Sequence, residues 1–479
     1  MNIGKQRSVR KNAILSVIKQ LFTLLFPMIT FPYATQILGV ANYGKYTFSM
    51  SVVNYISYIA AAGILRYAVR ECARVRDDKE ALHKLVNEIY TINIITTMFA
   101  YLLLFVVLTF VPLLEEYISW IILLSLSVLF TTIGTDWINS AFEDYLFITI
   151  RYIISQIFAL FLLFLLVREQ DNITQYAFVS IFAGILANIL NIVHIRKTLG
   201  IVPRLMYSRQ LFSHIKPILY LFASTIATFI YINSDVTFLR IYADDTSVGY
   251  YGVSTQFYQL IKQLINAAFI VVVPRISNEL TKEKSLAYSR YSKILVITIL
   301  LVIPCAAGLF MIRHNLVILF SGEEYVKAAS SLAILAVALI PAMIANFFIN
   351  IVMIPLGMEK QVMIATIISA LVNIGLNFVL IPRFAENAAA FTTLNAEIIL
   401  ILIAMFYCRD IKLKSVTKPI ATSIVGSGVI IFICSVLNKN VSNYFVNVVL
   451  CLMVCGILYS VVILFFYKTE LKRIIKEIK

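Results

Sequence analysis

Long apolar runs separated by short polar stretches dominate the chain. Residues 102–108 and 157–167, for example, are continuously hydrophobic instead of alternating between apolar and polar positions. A membrane-spanning helix needs about 20 mostly apolar residues, whereas a membrane β-strand alternates over segments of about 10. The pattern therefore predicts an all-α membrane protein with about fourteen transmembrane helices. We place them at residues 13–38, 46–66, 86–111, 117–138, 146–167, 173–195, 214–241, 248–274, 289–312, 327–354, 362–382, 387–408, 417–437 and 443–467.

The composition excludes an ordinary soluble protein. Hydrophobic residues make up 61% of the 479 positions and charged residues 14%, and the mean hydropathy is +0.89. Soluble domains carry about 25% charged residues. The apolar runs are thus distributed over the whole chain, which is not a soluble domain with a single membrane anchor.

The net charge of +15 is unevenly distributed. Most of the 40 Lys and Arg residues lie on the side of the predicted helices that holds both termini, as in loop 196–216 and the tail 468–479. Positively charged loops stay in the cytoplasm, so we expect a multi-pass protein of the cytoplasmic membrane with both termini inside. The tail can also contact anionic membrane lipids. Topology thereby explains the charge, and nucleic acid is not expected as a partner.

The segment around Gly44 has a second copy around Gly249. When the sequence is shifted by 205 positions, Gly44-Lys-Tyr-Thr-Phe-Ser49 falls on Gly249-Tyr-Tyr-Gly-Val-Ser254. Six predicted helices separate the copies, so both have the same direction in the membrane. Such parallel repeats predict two six-helix lobes around a central cavity that forms the substrate path. We assign residues 1–200 to the N-terminal lobe, 201–412 to the C-terminal lobe, and 413–479 to two additional helices and a basic cytoplasmic tail.

The loops between the predicted helices are too short to hold a catalytic domain. A membrane glycosyltransferase, or an oligosaccharide polymerase or ligase, would need a sizeable site outside the membrane, so these functions are the less favoured alternatives. The acidic pairs at 77–78 and 244–245 are interpreted as a solvated helix end and a surface turn. We therefore predict a transporter and not an enzyme, with no metal site and no cofactor.

Polar residues inside apolar helices mark the candidate site, because intramembrane charges usually face the bundle interior. Lys262 lies near the middle of a predicted helix, with Tyr258 and Asn266 one turn away on the same face. This stripe predicts a water-filled cavity, although a buried Lys neutralised by a nearby acid is the alternative. Thr228, in the preceding helix, is a further candidate for the cavity lining.

The first predicted helix carries a similar stripe. Lys19 and Thr23 follow one face, and Lys19 is either a cavity residue or a side chain that reaches the cytoplasmic headgroups. Pro27 and Pro32 interrupt the same helix and are candidate hinges for a rocking motion.

Two acids also lie within predicted membrane helices. Asp235 is a candidate counter-ion for Lys262 or a binding residue for a coupling cation. Glu397 is the better candidate for proton or sodium coupling, with a structural hydrogen bond to a neighbouring helix as the alternative. Cations outnumber acids in the predicted path, which favours an anionic cargo, and ammonium groups bind diphosphate well.

Several motifs resemble those of the polysaccharide-repeat flippases of O-antigen and capsule synthesis. These proteins belong to the multidrug, oligosaccharidyl-lipid and polysaccharide exporter superfamily. The first helical hairpin is similar at Pro32, Leu38, Gly39, Tyr43, Gly44 and Tyr46. Further similar segments are Asp136–Arg151, Asn233–Asp235, Val248–Tyr251 and Val273–Ser277. The chain departs from the family pattern at Gln36, Ala141 and Val236, where relatives often have Arg, Gly and Lys.

The resemblance implies a function and adds one site residue. It implies that an undecaprenyl-diphosphate-linked oligosaccharide is flipped to the outer leaflet by alternating access, with polysaccharide polymerase machinery as a further partner. Because the departures remove two cations, Lys19, Arg151 and Lys262 are the candidate substrate-binding cations. A cation-coupled exporter of small molecules or drugs on the same fold is the leading alternative.

Overall fold

The computed structural model describes residues 9–75, 77–270, 284–411, 413 and 416–478, and these contain α-helix and short 3₁₀ or π segments but no β-strand. The predicted all-α fold class is therefore confirmed. In chain order the helices are α1 Val9–Ala61, α2 Ile64–Val75, α3 Lys79–Phe110, α4 Ile118–Gly134, α5 Trp137–Ala141, α6 Tyr145–Leu166, α7 Ile173–His194, α8 Leu211–Tyr242, α9 Asp245–Ile270, α10 Lys284–Ser321, α11 Ala328–Asn346, α12 Glu359–Tyr407, α13 Thr417–Asn440 and α14 Tyr444–Ile478.

Ten helical segments of the described residues are long and apolar enough to cross a membrane. The protein is thus a multi-pass membrane protein. The number of fourteen spans and the internal repeat stay predictions, as does the orientation of the termini.

Two of the long helices contain a break. In α1 the backbone leaves the helical region at Gly39, where φ is 70°, and in α12 it does so at Ala385, where φ is 44°. Glycine adopts a positive φ without the steric penalty that a Cβ imposes. The helix then continues directly from Val40, so the predicted turn through Tyr46 is shorter than expected. Pro27 and Pro32 lie in helical backbone before the break, and their role as hinges stays a prediction.

The chain divides into two compact units, Met1–Gly249 and Tyr250–Lys479. In the first unit α1 packs against α3, α4, α6 and α8. A buried cluster there joins α2, α3, α5 and the first turns of α8, with Tyr67, Ile89, Trp137 and Ile218 among its members. The predicted lobe boundaries near residues 200 and 412 stay a prediction.

In the second unit α10 is a central element. It packs against α11, α13 and α14, and α11 packs against α12. Ile312 of α10 and a set of residues on α13 and α14, including Cys434 and Cys455, form one buried cluster. The two C-terminal helices are therefore attached to this unit through apolar contacts. The predicted absence of a metal site stays a prediction, and the described residues contain no cluster of three or more His, Cys, Asp or Glu that could hold a metal ion.

Candidate functional site

A line of polar side chains runs along α9 in the second unit. Tyr251 lies within 3.1 Å of the Thr393 hydroxyl of α12, and Tyr258 donates a hydrogen bond of 3.3 Å to Glu397. Lys262 donates to the same carboxylate at 3.0 Å, and its ammonium lies 4.9 Å from the centre of the Tyr258 ring. The predicted stripe on α9 therefore meets an acid of α12, so Lys262 is held in a defined position.

The polar line continues one helical turn further, at Asn266. The Asn346 side-chain amide donates to the Asn266 carbonyl oxygen, and Asn350 donates to Asn346. The segment Phe347–Met353, directly after Asn346, is π-helical. Isolated π turns within helices are frequent at functional sites because they re-aim side chains. The sequence did not predict these two asparagines as part of the site, because the π turn leaves no simple pattern in the sequence.

The two charges of this pair differ in exposure. The Glu397 side chain is 6% exposed, whereas the Lys262 side chain is 20% exposed. An ammonium has three N–H donors, and Glu397 accepts from one of them. The arrangement therefore presents a positively charged group with donors directed away from the protein acid.

The first unit contains a second cation–acid pair. Arg151 of α6 contacts Asp136 through a charge-assisted hydrogen bond and donates to the Ala187 carbonyl at 3.4 Å. The Arg151 side chain is 6% exposed and that of Asp136 is 40% exposed. Thr135, the residue before Asp136, has a φ of 47°, a strained value for a β-branched residue. The turn that carries Asp136 is thus fixed by the end of α4.

The remaining predicted residues of the first unit are distributed along α1 and α8. The Lys19 ammonium lies 5.9 Å from the centre of the Tyr152 ring on α6, and the Thr23 hydroxyl donates to the Lys19 carbonyl at 2.9 Å. Asp235 is buried in α8 at 4% exposure. Thr228 also belongs to α8, but its side chain lies outside the described part of the structure. The cavity roles assigned to these residues stay predictions.

Asp245 has a more specific position than a surface turn. Its carboxylate accepts a hydrogen bond of 2.7 Å from the Tyr117 hydroxyl and lies 3.1 Å from the Arg240 guanidinium. Its backbone carbonyl lies where a Cβ on Gly44 would be placed. Sequence reasoning missed this contact, because Tyr117 and Gly44 are far from Asp245 along the chain, although Arg240 is near.

Gly44 and Gly249 form a close backbone contact. A Cβ added to Gly44 would collide with the carbonyl oxygen of Asp245, and one added to Gly249 would collide with that of Val40. The two collisions correspond to each other under the shift of 205 positions seen in the sequence. Both glycines are therefore required for close approach and not for a turn.

Comparison with known proteins agrees with this architecture. The profile of the family described as polysaccharide biosynthesis protein matches residues 9–280, and that of the MatE family matches residues 221–379. The chain is 23% identical over 417 residues, which is 86% of its length and 99% of the relative's, to the "Putative O-antigen transporter" of Escherichia coli strain K12.

Two solved structures have a similar fold. The lipid II flippase MurJ in an inward closed conformation has a TM-score of 0.74 at 16% identity, over 96% of this chain and 99% of that one. An inward-facing multidrug resistance transporter of the MATE family has a TM-score of 0.66 at 13% identity, over 82% of this chain and 97% of that one.

The names of these relatives describe transporters and a flippase, in agreement with the prediction of a transporter and not an enzyme. The matched profile covers more than half of the chain, and the motifs at Gly44, Asp136 and Val248 lie within it. The chain therefore belongs to the polysaccharide biosynthesis protein family, within the multidrug, oligosaccharidyl-lipid and polysaccharide exporter superfamily.

Proposed function

We propose that the protein flips undecaprenyl-diphosphate-linked oligosaccharide repeat units across the bacterial cytoplasmic membrane for surface polysaccharide synthesis. The resemblance to O-antigen transporters supports the cargo class, and the MurJ-like fold supports lipid-linked transport. In this proposal the termini are cytoplasmic, and the site is exposed to the two membrane faces in turn.

The position of Lys262 carries the proposal. A diphosphate offers several charged oxygens, and charge-assisted hydrogen bonds to phosphate are the strong class of such bonds. Lys262 presents its ammonium from a membrane helix while the buried Glu397 and the Tyr258 ring hold it in place. The lipid tail would remain in the bilayer, since only the headgroup requires a polar path.

The test uses proteoliposomes that contain a lipid-diphosphate oligosaccharide. The measured quantity is the amount of inner-leaflet sugar that becomes accessible to an external glycosidase. We expect protein-dependent exposure that Lys262→Ala reduces about 30-fold, the equivalent of about 2 kcal/mol for one lost charge-assisted bond. Lys45→Ala is the matched control, because Lys45 is 24% exposed and also pairs with a glutamate, but its partner Glu116 is 49% exposed whereas Glu397 is buried. Equal loss in both variants, or no exposure by the wild type, would contradict the proposal.

A cation-coupled exporter of small molecules is the second candidate, and the match to the MatE family favours it. In that case the buried acids Asp235 and Glu397 would bind a proton or sodium ion and would be indispensable. Asp235→Asn and Glu397→Gln would then abolish transport of a cationic dye, whereas Lys262→Ala would leave it intact. The opposite ranking supports the flippase.

A further inference from the structure

Residues 200–210 connect the π turn after α7 to α8 and are held against α3. The backbone N–H of Arg204 donates to the Asn87 side chain at 2.8 Å, and that of Met206 donates to the Thr91 hydroxyl at 2.9 Å. Asn87 and Thr91 lie one turn apart on α3, so one edge of the segment is fixed along this helix. None of its residues belongs to the site described above.

Both ends of segment 200–210 are buried as well. Ile201 is 1% exposed and Leu211 is 7% exposed, and both belong to the apolar cluster that includes Tyr67 and Ile89. Pro203 stiffens the chain between them, because its ring fixes φ and favours an extended residue before it. A segment that is anchored at both ends and in its middle presents a defined set of side chains outward.

The outward side chains are large and apolar. Tyr207 is 84% exposed, Leu205 is 66% exposed, and Phe212, in the first turn of α8, is 65% exposed. Single apolar side chains on a surface are normal, but three large ones within residues 205–212 form an exposed patch. Such a patch marks a contact with an apolar partner, which is either another protein or a membrane.

The position of the patch along α3 indicates a membrane partner. This helix is one of the candidate membrane spans, and Ile95, Met98 and Phe105 are 57%, 67% and 67% exposed, as expected of side chains that face acyl chains. Ile95 lies only about 6 Å along the helix axis from Thr91, to which the segment is bound. The headgroup region on each side of the hydrocarbon core is about 5–8 Å thick. Segment 200–210 therefore lies at the level of the headgroups.

Five cations and no acid accompany the patch. Residues 196–216 contain no Asp or Glu, and their Lys and Arg residues are all exposed: Arg196, Lys197, Arg204, Arg209 and Lys216. Among the described residues, no ion pair includes any of these five. Basic side chains beside exposed apolar ones are typical of segments that lie in the membrane interface, where anionic headgroups attract them. The charge of the segment therefore favours an anionic lipid over a zwitterionic one.

We propose that residues 200–210, together with Phe212, form an interfacial surface that binds anionic phospholipids of the membrane. Tyr207, Leu205 and Phe212 enter the upper acyl-chain region, and Arg204 and Arg209 contact the phosphates. A soluble protein with an acidic surface would match the cations, but it would not cover apolar side chains at the depth of the headgroups. The binding does not rest on the proposed transport function, and it requires no cargo.

The test places a fluorescent side chain on the surface and measures which lipid surrounds it. Purified full-length Tyr207→Trp is reconstituted in equal mixtures of phosphatidylcholine and phosphatidylglycerol, in which one lipid or the other carries bromine near the top of its acyl chains. Bromine quenches nearby tryptophan, and the wild type, which has two Trp residues, supplies the background. We expect phosphatidylglycerol to be preferred by about fivefold or more, because each Lys or Arg near an anionic surface contributes about that factor.

Phe105→Trp is the matched control. Phe105 lies on the exposed apolar side of the same helix, and no Lys or Arg follows Lys84 on α3, so both lipids should quench this variant equally. Adding Arg204→Gln and Arg209→Gln to Tyr207→Trp should remove the preference but keep the quenching, because the apolar side chains remain. Raising the salt from about 0.1 to 1 M should remove the preference without these substitutions, since the screening length falls from about 10 to 3 Å.

Three outcomes would overturn the proposal. If neither lipid quenches Tyr207→Trp while both quench Phe105→Trp, the segment lies outside the bilayer and its partner is a protein. If both lipids quench Tyr207→Trp equally at low salt, the surface makes ordinary lipid contacts without selecting a charge. If inorganic phosphate at constant ionic strength removes the preference, the cations bind a free anion and not a lipid headgroup.

Discussion

Two of the predicted cations, Arg151 in the first unit and Lys262 in the second, each pair with an acid, and the two pairs are arranged in opposite ways. In the first unit the cation is the buried partner: Arg151 is 6% exposed and Asp136 is 40% exposed. In the second unit the acid is buried, because Glu397 is 6% exposed while Lys262 is 20% exposed. Both cations were predicted to bind the anionic substrate. The structure indicates that only the second pair turns its positive group outward.

This difference in burial predicts different roles for the two pairs. A guanidinium cannot lose its proton, so a buried Arg requires a permanent acid partner. A buried carboxyl group can take up a proton when its partner is lost. The Arg151–Asp136 pair is therefore expected to matter most for stability, and the Lys262–Glu397 pair for transport.

The largest effect is expected from Asp136→Asn. This change leaves the Arg151 guanidinium buried without a counter-charge, and we expect a loss of about 3 kcal/mol, the low end of the range for a broken buried pair because Asp136 is partly hydrated. Arg151→Met should cost less, since the remaining Asp136 is hydrated. The measurement is denaturant unfolding in detergent, followed by tryptophan fluorescence. A greater loss in Arg151→Met would reverse the assignment of the buried charge.

Lys262→Met and Arg151→Met compare the two cations in transport. Methionine preserves much of the side-chain length and removes the charge, so the comparison concerns the positive group alone. Per folded molecule, Lys262→Met should reduce flipping about 30-fold, from the loss of about 2 kcal/mol, whereas Arg151→Met should leave it within about twofold. Equal losses of flipping would show that both cations contact the substrate, and the two pairs would then not differ in role.

Glu397→Gln tests the acid behind Lys262. The amide can still accept from Lys262, and the cation remains partly exposed, so we expect about 1 kcal/mol less stability and at most about a fivefold loss of flipping. Glu116→Gln, at the exposed pair with Lys45, is the control and should change neither quantity. A loss in Glu397→Gln greater than that in Lys262→Met would favour the cation-coupled exporter.

Much of the fold could be predicted from the sequence, because membrane helices are recognisable by their length and apolar composition. The predicted boundary between the first two helices falls close to Gly39, and that between residues 382 and 387 coincides with the break at Ala385. The reason for Gly44 could not be predicted. Its constraint is the carbonyl of Asp245, some 200 positions away, and a glycine in a turn looks the same in sequence as a glycine at a close contact.

The site was predicted less completely, because contacts between residues far apart along the chain leave no local pattern in the sequence. The spacing of Tyr258, Lys262 and Asn266 on one helix is local information, and the structure brings all three into one polar line. The partner of Lys262 comes from a distant helix, so the sequence named Asp235 as a candidate counter-ion, whereas the structure pairs Lys262 with Glu397.

The smallest effect is expected from Tyr258→Phe. The substitution removes one hydrogen bond of 3.3 Å to Glu397 but keeps the ring that lies 4.9 Å from the Lys262 ammonium. Because Lys262 still donates to Glu397, the carboxylate remains paired, and the stability should fall by only about 0.5 kcal/mol. Tyr258→Leu also removes the aromatic face, which adds about 0.5–1 kcal/mol of lost cation–π attraction. Flipping should follow the same order, because the ring and not the hydroxyl positions the ammonium. Equal losses of flipping in the two variants, measured in the glycosidase assay, would instead show that the hydroxyl and Glu397 position Lys262. The Lys262–Glu397 pair would then depend on its acid as closely as the Arg151–Asp136 pair depends on Asp136.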